Sequence, residues 1–291
     1  MPHGLDHIAH VVRDLDAAAE FYIRAGFTVG GRNLHPWGTH NRIVQLKNCY
    51  IELLEVAEPE KIVAHAARSF SFGAFNRDFV AHHEGFSMLL LNSSDADSDA
   101  QAFEDAGISD YEVFNFAREG KKPDGTAVKL AFSLVFTRDP ASPDLSLALC
   151  QHHFPENFWN PAFQTHTNGA QRVPGVVMIA NDPASHRGFL KTYIGTGEVT
   201  SGPAGVIART ENGEIEILEP SAARDLLDFP IKASGEGLTL NAMRFAVPDL
   251  ARTEALFRQN EVVCRRHGET LIVPPGVAFG ATLIFEAAKV G

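Results

Sequence analysis

Asp6-His7-Ile8-Ala9-His10-Val11-Val12 is a short apolar run, and the segments that follow it decide the fold. Asp14-Leu15 comes next, then Phe21-Tyr22, then Gly26-Phe27, and the unit closes with Tyr50-Ile51-Glu52-Leu53-Leu54-Glu55. The first run reads as a strand at about residues 5–12. Asp14 can cap the helix after it, whose Leu15, Ala18, Ala19 and Tyr22 fall on one face at helical spacing. Gly26 ends that helix, and strands are expected near 27–33, 41–47 and 49–56. The unit is therefore βαβββ.

Weaker copies begin near Phe86, Val176 and Ala242, and a repeated unit fixes the architecture before any single residue does. The second has a strand from about Gly85, a helix from about Asp95 to Ala106 ending at Gly107, and strands near 128–138 and 145–152. The third has a strand at 175–180, a helix from about Pro183 to Ile194 closed by Gly195, and strands at 205–210 and 214–219. The fourth has a strand at 239–247, a helix from Asp249 to about Gln259, and strands near 262–266, 270–273 and 281–286. First-strand positions His7, Phe86, Val176 and Ala242 should then be near-equivalent. Residues 57–84 read as a partly helical insertion over the sheet, with Phe70, Phe72, Phe75 and Phe79 either roofing a pocket or packing. Residues 153–173, with Pro155, Trp159, Pro161 and Asn168-Gly169, read as an irregular connection. The expected class is α+β, with four βαβββ modules in two halves, 1–152 and 174–291.

Composition narrows the function. Of the 291 residues 45% are hydrophobic and 21% charged, enough apolar content for a sizeable core. A formal charge of −11, with Lys121-Lys122 the longest basic run, argues against nucleic-acid and anionic-membrane partners. No apolar stretch approaches the ~20 residues of a membrane-spanning helix. Cys49, Cys150 and Cys264 form no C-x-x-C pair, so reduced thiols are expected. With no signal-peptide pattern at Met1-Pro2-His3-Gly4, this predicts a cytoplasmic protein. There is no G-x-S-x-G elbow, phosphate loop or H-E-x-x-H helix.

The pattern resembles the vicinal oxygen chelate superfamily, which includes glyoxalases, bleomycin-resistance proteins and dioxygenases. His35-Pro36-Trp37-Gly38-Thr39, then Asn41-Arg42, with Tyr50-Ile51-Glu52-Leu53-Leu54, looks like the bacterial glyoxalase-like domain family. The resemblance implies paired βαβββ modules forming half-barrels, each cupping a metal and a substrate. It places metal ligands on the first and last strands of a module, here His7 and Glu52. Both suit a divalent metal such as Zn, Ni, Mn, Fe or Co; the alternative is a satisfied strand histidine and a solvated carboxylate.

The second module puts Phe86 where another ligand would stand, leaving that ring to contact substrate, and its last strand ends in Gln151-His152-His153 without a carboxylate. Gln151 is expected at the substrate. His152 would complete the metal shell or carry a proton, and alternation keeps His152 and His153 from both facing inward. His82 and His83 are expected at the surface. Glu216 and Glu286 lie on the last strands of the later modules without histidine partners, which argues against the iron site of extradiol dioxygenases. The second half is then structural or completes a homodimer. Trp37 offers an apolar wall or closes the core. Arg42 grips an anionic ligand or forms a surface ion pair; in the first case small carboxylates or α-keto acids should bind preferentially.

Two functions from different classes follow. One is a metal-dependent lyase or isomerase acting on a small oxygenated metabolite through a metal-stabilised enediolate. The other is a metal-free binding or sequestering protein of the same fold, favoured by Phe86 and the missing second carboxylate.

Overall fold

The computed structural model describes residues 3–121, 125–137, 139, 141–229 and 237–288. The first module is β1 (Leu5–Val11), α1 (Leu15–Arg24), β2 (Asn33–Leu34), β3 (Thr39–Gln45) and β4 (Tyr50–Val56), followed by the insertion helix α2 (Phe72–His82). The second is β5 (Gly85–Asn92), α3 (Ala96–Asp105), β6 (Phe114–Lys121), β7 (Ala127–Phe136) and β8 (Ser146–His152), and the connection after it carries the short helix α4 (Pro155–Phe158). The third is β9 (Gly175–Ile179), α5 (Arg187–Tyr193), β10 (Glu198–Gly202), β11 (Gly205–Arg209) and β12 (Glu214–Leu218), followed by α6 (Pro220–Leu227). The fourth is β13 (Thr239–Val247), α7 (Leu250–Gln259), β14 (Arg265–His267), β15 (Thr270–Val273) and β16 (Thr282–Ala287).

All four modules are βαβββ, and they pair as two mixed sheets that fit two glyoxalase-like halves. One sheet runs β2-β3-β4-β1-β5-β8-β7-β6, the other β10-β11-β12-β9-β13-β16-β15-β14. In each, the modules join through antiparallel first strands, β1 with β5 and β9 with β13. First and last strands of a module run parallel, as β1 does with β4. Every residue of the central strand β1 is buried, which explains why it reads as a near-continuous apolar run.

The same device starts the helix of every module. Asp14, Asp95 and Asp249 each accept a bond from a backbone N–H three residues on, while Asp182 caps a 3₁₀ turn that leads into α5. Such a cap contributes about 1 kcal/mol. These aspartates set the repeat register. His7, Met88, Gly175 and Ala242 each stand seven residues before the cap.

The helical faces of the two sheets share one core, in which Phe27 of the first half meets Phe245 and Phe285 of the second. Each cup lies on the other face of its sheet and is covered by the extra helix of its half. Helix α2 brings Phe72 and Phe79 onto Ala9, Leu54, Met88 and Leu90, each ring contributing roughly 2–3 kcal/mol by burial. Helix α6 brings Ala223 and Leu227 onto Val177, Ala242 and Ile284.

Several sequence-based boundaries change. The strand expected at 27–33 shrinks to Asn33–Leu34, and β3 begins at Thr39, two residues early. Strands β6 and β10 and helix α6 were not expected. Edge strands such as β10, largely exposed, carry little hydrophobic pattern to betray them. Phe86 is not the counterpart of His7; Met88 is. The register of β1 on β5 shifts between Ala9 and His10, so Phe86 packs against His10 in the shared core, while Met88 takes the cup face. Likewise Gly175, not Val176, matches His7.

Among the described residues, no helix is long and apolar enough to cross a membrane.

Candidate functional site

The cup of the N-terminal half encloses a cavity of about 40 Å³. His7 of β1, Tyr50 and Glu52 of β4, Cys150 of β8 and His35 of the β2–β3 turn supply its polar lining; Trp37, Phe72, Phe116, Phe132 and Leu134 supply the apolar wall. Alternation along the parallel pair explains part of this. His7 is registered with Tyr50 and Ala9 with Glu52, so all four share one face.

A second register shift, between Leu5 and His7, brings Asp6 to the same side as its neighbour. Asp6 Oδ2 accepts from His7 Nδ1 at 2.6 Å, and Asp6 Oδ1 lies 3.0 Å from His152 Nε2. Burial raises the Asp6 pKa, but His152 and His7 outweigh it and hold the carboxyl well below the usual carboxylate range. An ionised carboxylate only accepts, so both histidines donate to it. His7 Nε2 and His152 Nδ1 are thereby turned away from Asp6. His152 Nδ1 is buried and has no hydrogen-bond partner among the described residues.

The turn that carries His35 is held by His35 N–H to Thr39 O at 2.8 Å and Gly38 N–H to His35 O at 3.2 Å. Gly38 sits at φ 88°, where an added Cβ would meet Glu58 O at 2.3 Å, so the turn requires glycine. His35 Nδ1 contacts the Thr39 hydroxyl at 2.8 Å; Asn41 Nδ2 donates to Glu52 Oε1 at 2.6 Å and reaches His35 Nε2 at 3.2 Å. His35 Nε2 and Glu52 Oε1 are 3.8 Å apart. Burial pushes the His35 pKa down, and Arg118 and His40 add to this against the pull of Glu52, which favours a neutral imidazole.

Asp6, His7 and Cys150 place one prospective ligand atom each within 4.8 Å of one another, the one group of three among the described residues that does. Burial raises the Cys150 thiol well above its usual range, and Asp6 adds to this, so the thiol stays protonated without an ion. His7, His35 and Glu52, with Asp6 and Cys150 beside them, make this cup a candidate metal site. The residues fit a divalent transition metal on their chemistry: two imidazoles, each with Nδ1 held by a neighbour, and one carboxylate.

The other expected residues scatter. Trp37 stacks on His35 at 4.6 Å and lines the cavity, its Nε1 buried without a partner among the described residues. Arg42 lies away from the cavity, beside α1, where it donates to Asp16 at 2.9 Å. Gln151 bonds Ala96 N–H and Ser94 O at the start of α3. His153 turns to the Ser133 hydroxyl, so only His152 of the pair faces inward, and His82 and His83 are exposed.

The matching places in the other modules carry no comparable set. Met88 and Ala148 replace His7 and Glu52 in the second module. In the third and fourth, Arg244 donates to Glu286 at 2.9 and 3.1 Å and pairs with Glu216, filling the C-terminal cup with an ion-pair cluster.

His35 stood in plain view in the sequence. Its distance along the chain from both strands hid its part in the site, and a turn-borne histidine has no periodicity to expose it.

Comparison with known proteins agrees with this architecture. The family model described as a glyoxalase-like domain matches residues 5–194. No curated protein sequence matches. A hypothetical protein from Staphylococcus aureus superposes with a TM-score of 0.67 at 14% identity, covering 98% of this chain and 99% of that one. An Mn(II)-bound glyoxalase from Novosphingobium aromaticivorans gives 0.55 at 12% identity, covering 98% and 81%. A mutant 4-hydroxymandelate synthase from Streptomyces coelicolor gives 0.54 at 12% identity, covering 100% and 94%. At such identities these structures are similar in fold alone. With about two thirds of its length matched by the family model, the chain belongs to the glyoxalase-like domain family, within the vicinal oxygen chelate superfamily.

Proposed function

We propose that the N-terminal half is a metal-dependent enzyme of the lyase or isomerase type, acting on a small oxygenated metabolite in the cytoplasm. The observation that carries this reading is the donor set: His7, His35 and Glu52 line one buried cavity. Each imidazole has its Nδ1 held by a neighbour, Asp6 for His7 and Thr39 for His35. Such contacts orient ligating histidines. A divalent ion bound there would supply Lewis-acid stabilisation to two adjacent substrate oxygens. The likeness to an Mn(II)-bound glyoxalase supports the same reading.

The rest of the chemistry falls to the chain's own groups. Asp6 fixes the tautomers of both neighbouring histidines. His152, whose buried Nδ1 has no hydrogen-bond partner among the described residues, is placed to exchange a proton with substrate carbon or oxygen. Trp37, Phe116 and Phe132 exclude water around the donors. A cavity of about 40 Å³ holds an ion and little more, so substrate enters only as the aromatic wall gives way.

Metal analysis of protein purified without a histidine tag tests this. One ion per chain is expected in the wild type, with loss in His7→Ala, His35→Ala and Glu52→Ala. A second reading is a metal-free binding protein, favoured by Met88 and Ala148, which stand in the second module where the first has His7 and Glu52. Equal metal content in the wild type and all three variants would favour it, as would ligand affinity that survives chelator.

A further inference from the structure

Outside the small cavity, a bowl of about 630 Å³ opens between the β6–β7 hairpin and the connection that carries α4. Its size suits a small-molecule ligand. Ile43, Val128 and Leu130 contribute apolar floor, and Phe158, Trp159 and Phe163 an aromatic wall. That wall is pinned in place: Gln45 Nε2 donates to Phe158 O at 2.8 Å, and Gln45 Oε1 accepts from Asn160 N–H at 3.0 Å.

Arg118 is the cation of this bowl. It is registered with Leu130, which belongs to the cup cluster, and stands two residues from Phe116, which lines the inner cavity. Arg118 is partly buried, and its guanidinium has no hydrogen bond or ion pair among the described residues. The other arginine at the bowl, Arg32, is taken by Asp16 and Glu55. Glu119 and Glu156 also border the bowl but are exposed. Burial pushes the Arg118 pKa down, opposed by Glu52 and Tyr50, so its charge is felt at the inner donors although it touches neither residue. A partly buried guanidinium without a partner is a ready site for a carboxylate, which it can grip in a bidentate fork.

We propose that the bowl binds a ligand with an apolar body and a carboxylate head, and that Arg118 recognises the carboxylate at the end nearest the inner cavity. The proposal rests on the cup being the reacting end, and it gives the substrate class: a small organic acid with an apolar substituent. Arg118 thereby takes the part that the sequence suggested for Arg42.

The test uses 3-phenylpropionate and its neutral isostere 3-phenylpropionamide, titrated calorimetrically into metal-free and zinc-loaded full-length protein. A carboxylate can coordinate zinc as well as meet a guanidinium, so the ratio of affinities in metal-free protein is the one that reads Arg118. The acid should bind the wild type at least tenfold more tightly, Arg118→Met should bind both alike, and Arg118→Lys should keep part of the preference. The lysine variant guards against a folding defect in Arg118→Met. Equal affinities in the wild type, an unchanged preference in Arg118→Met, or no saturable binding of either probe at millimolar concentration would each overturn the proposal. Failure of the metal reading appears separately, as absent zinc uptake, and leaves the acid-to-amide ratio in metal-free protein intact.

Discussion

His152 Nε2 stands 3.0 Å from Asp6 Oδ1, tying the last strand of the second module to the first strand of the first across β5. Asp6 also accepts from His7, so one buried carboxylate orients the two histidines that matter most to the cup. Asp6→Asn keeps the volume but turns one acceptor oxygen into a donor, which must face an imidazole N–H. Long-range ¹H–¹⁵N spectra should show His7 protonated at Nδ1 and His152 at Nε2 in the wild type, and that pattern should be lost in the variant. Divalent-metal affinity should fall about 10- to 100-fold, as when such outer contacts are removed elsewhere. Unaltered spectra in Asp6→Asn would show that the carboxylate does not set the tautomers.

His10 predicts acid sensitivity. It is fully buried, with Nε2 2.9 Å from the Phe279 carbonyl of the other half and Nδ1 3.0 Å from the Tyr22 hydroxyl. Burial lowers its pKa from 6.5 to about 4, against a smaller upward pull from the Phe279 bond. Between those values the unfolded chain binds the proton and the folded one does not. Stability should therefore fall as pH drops from 6.5 towards 4, by up to about 3 kcal/mol from this group. Urea midpoints measured across that window should show the slope, and His10→Gln should flatten it. An equal slope in both proteins would assign the effect elsewhere.

Arg244 predicts a stability cost without a functional one. Burial raises the Glu216 pKa and Arg244 opposes it, and Arg244 also serves Glu286. Arg244→Met leaves two carboxylates facing each other, part-buried, and should cost on the order of 2 kcal/mol. Denaturant titration should record that loss while metal uptake by the N-terminal cup stays unchanged. A loss of uptake would mean that the C-terminal cup takes part in the site.

Glu261 predicts a gain. The helices of the first three modules end at Gly26, Gly107 and Gly195, all at positive φ, whereas the fourth places Glu261 there at φ 55°. A side chain in this region costs roughly 1 kcal/mol, so Glu261→Gly should raise the melting temperature by about 2 °C in a chain of this length. An unchanged or lower melting temperature would refute the strain argument.

Much of the fold was legible because it is written locally. A capping aspartate, an i, i+3, i+4 stripe and a closing glycine act within one helix, so His7 through Gly26 reveals a module and the later copies reveal the count. That His7 and Glu52 would share one face was legible for a related reason, since they lie on the first and last strands of a module and those strands pair side by side. What the sequence could not decide is register. Two shifts of one residue along β1 bring Asp6 beside His7 on the cup side and send Phe86 to the opposite face, and a one-residue slip reverses which side a side chain faces. Arg42 fell on the helix side of its strand, away from the cavity, and Arg118, on an edge strand without a clear pattern, on the cup side. His35 joined Glu52 only because a glycine turn folds the β2–β3 segment over the sheet. Local backbone preference determined the modules; long-range strand pairing decided which side chains meet inside them.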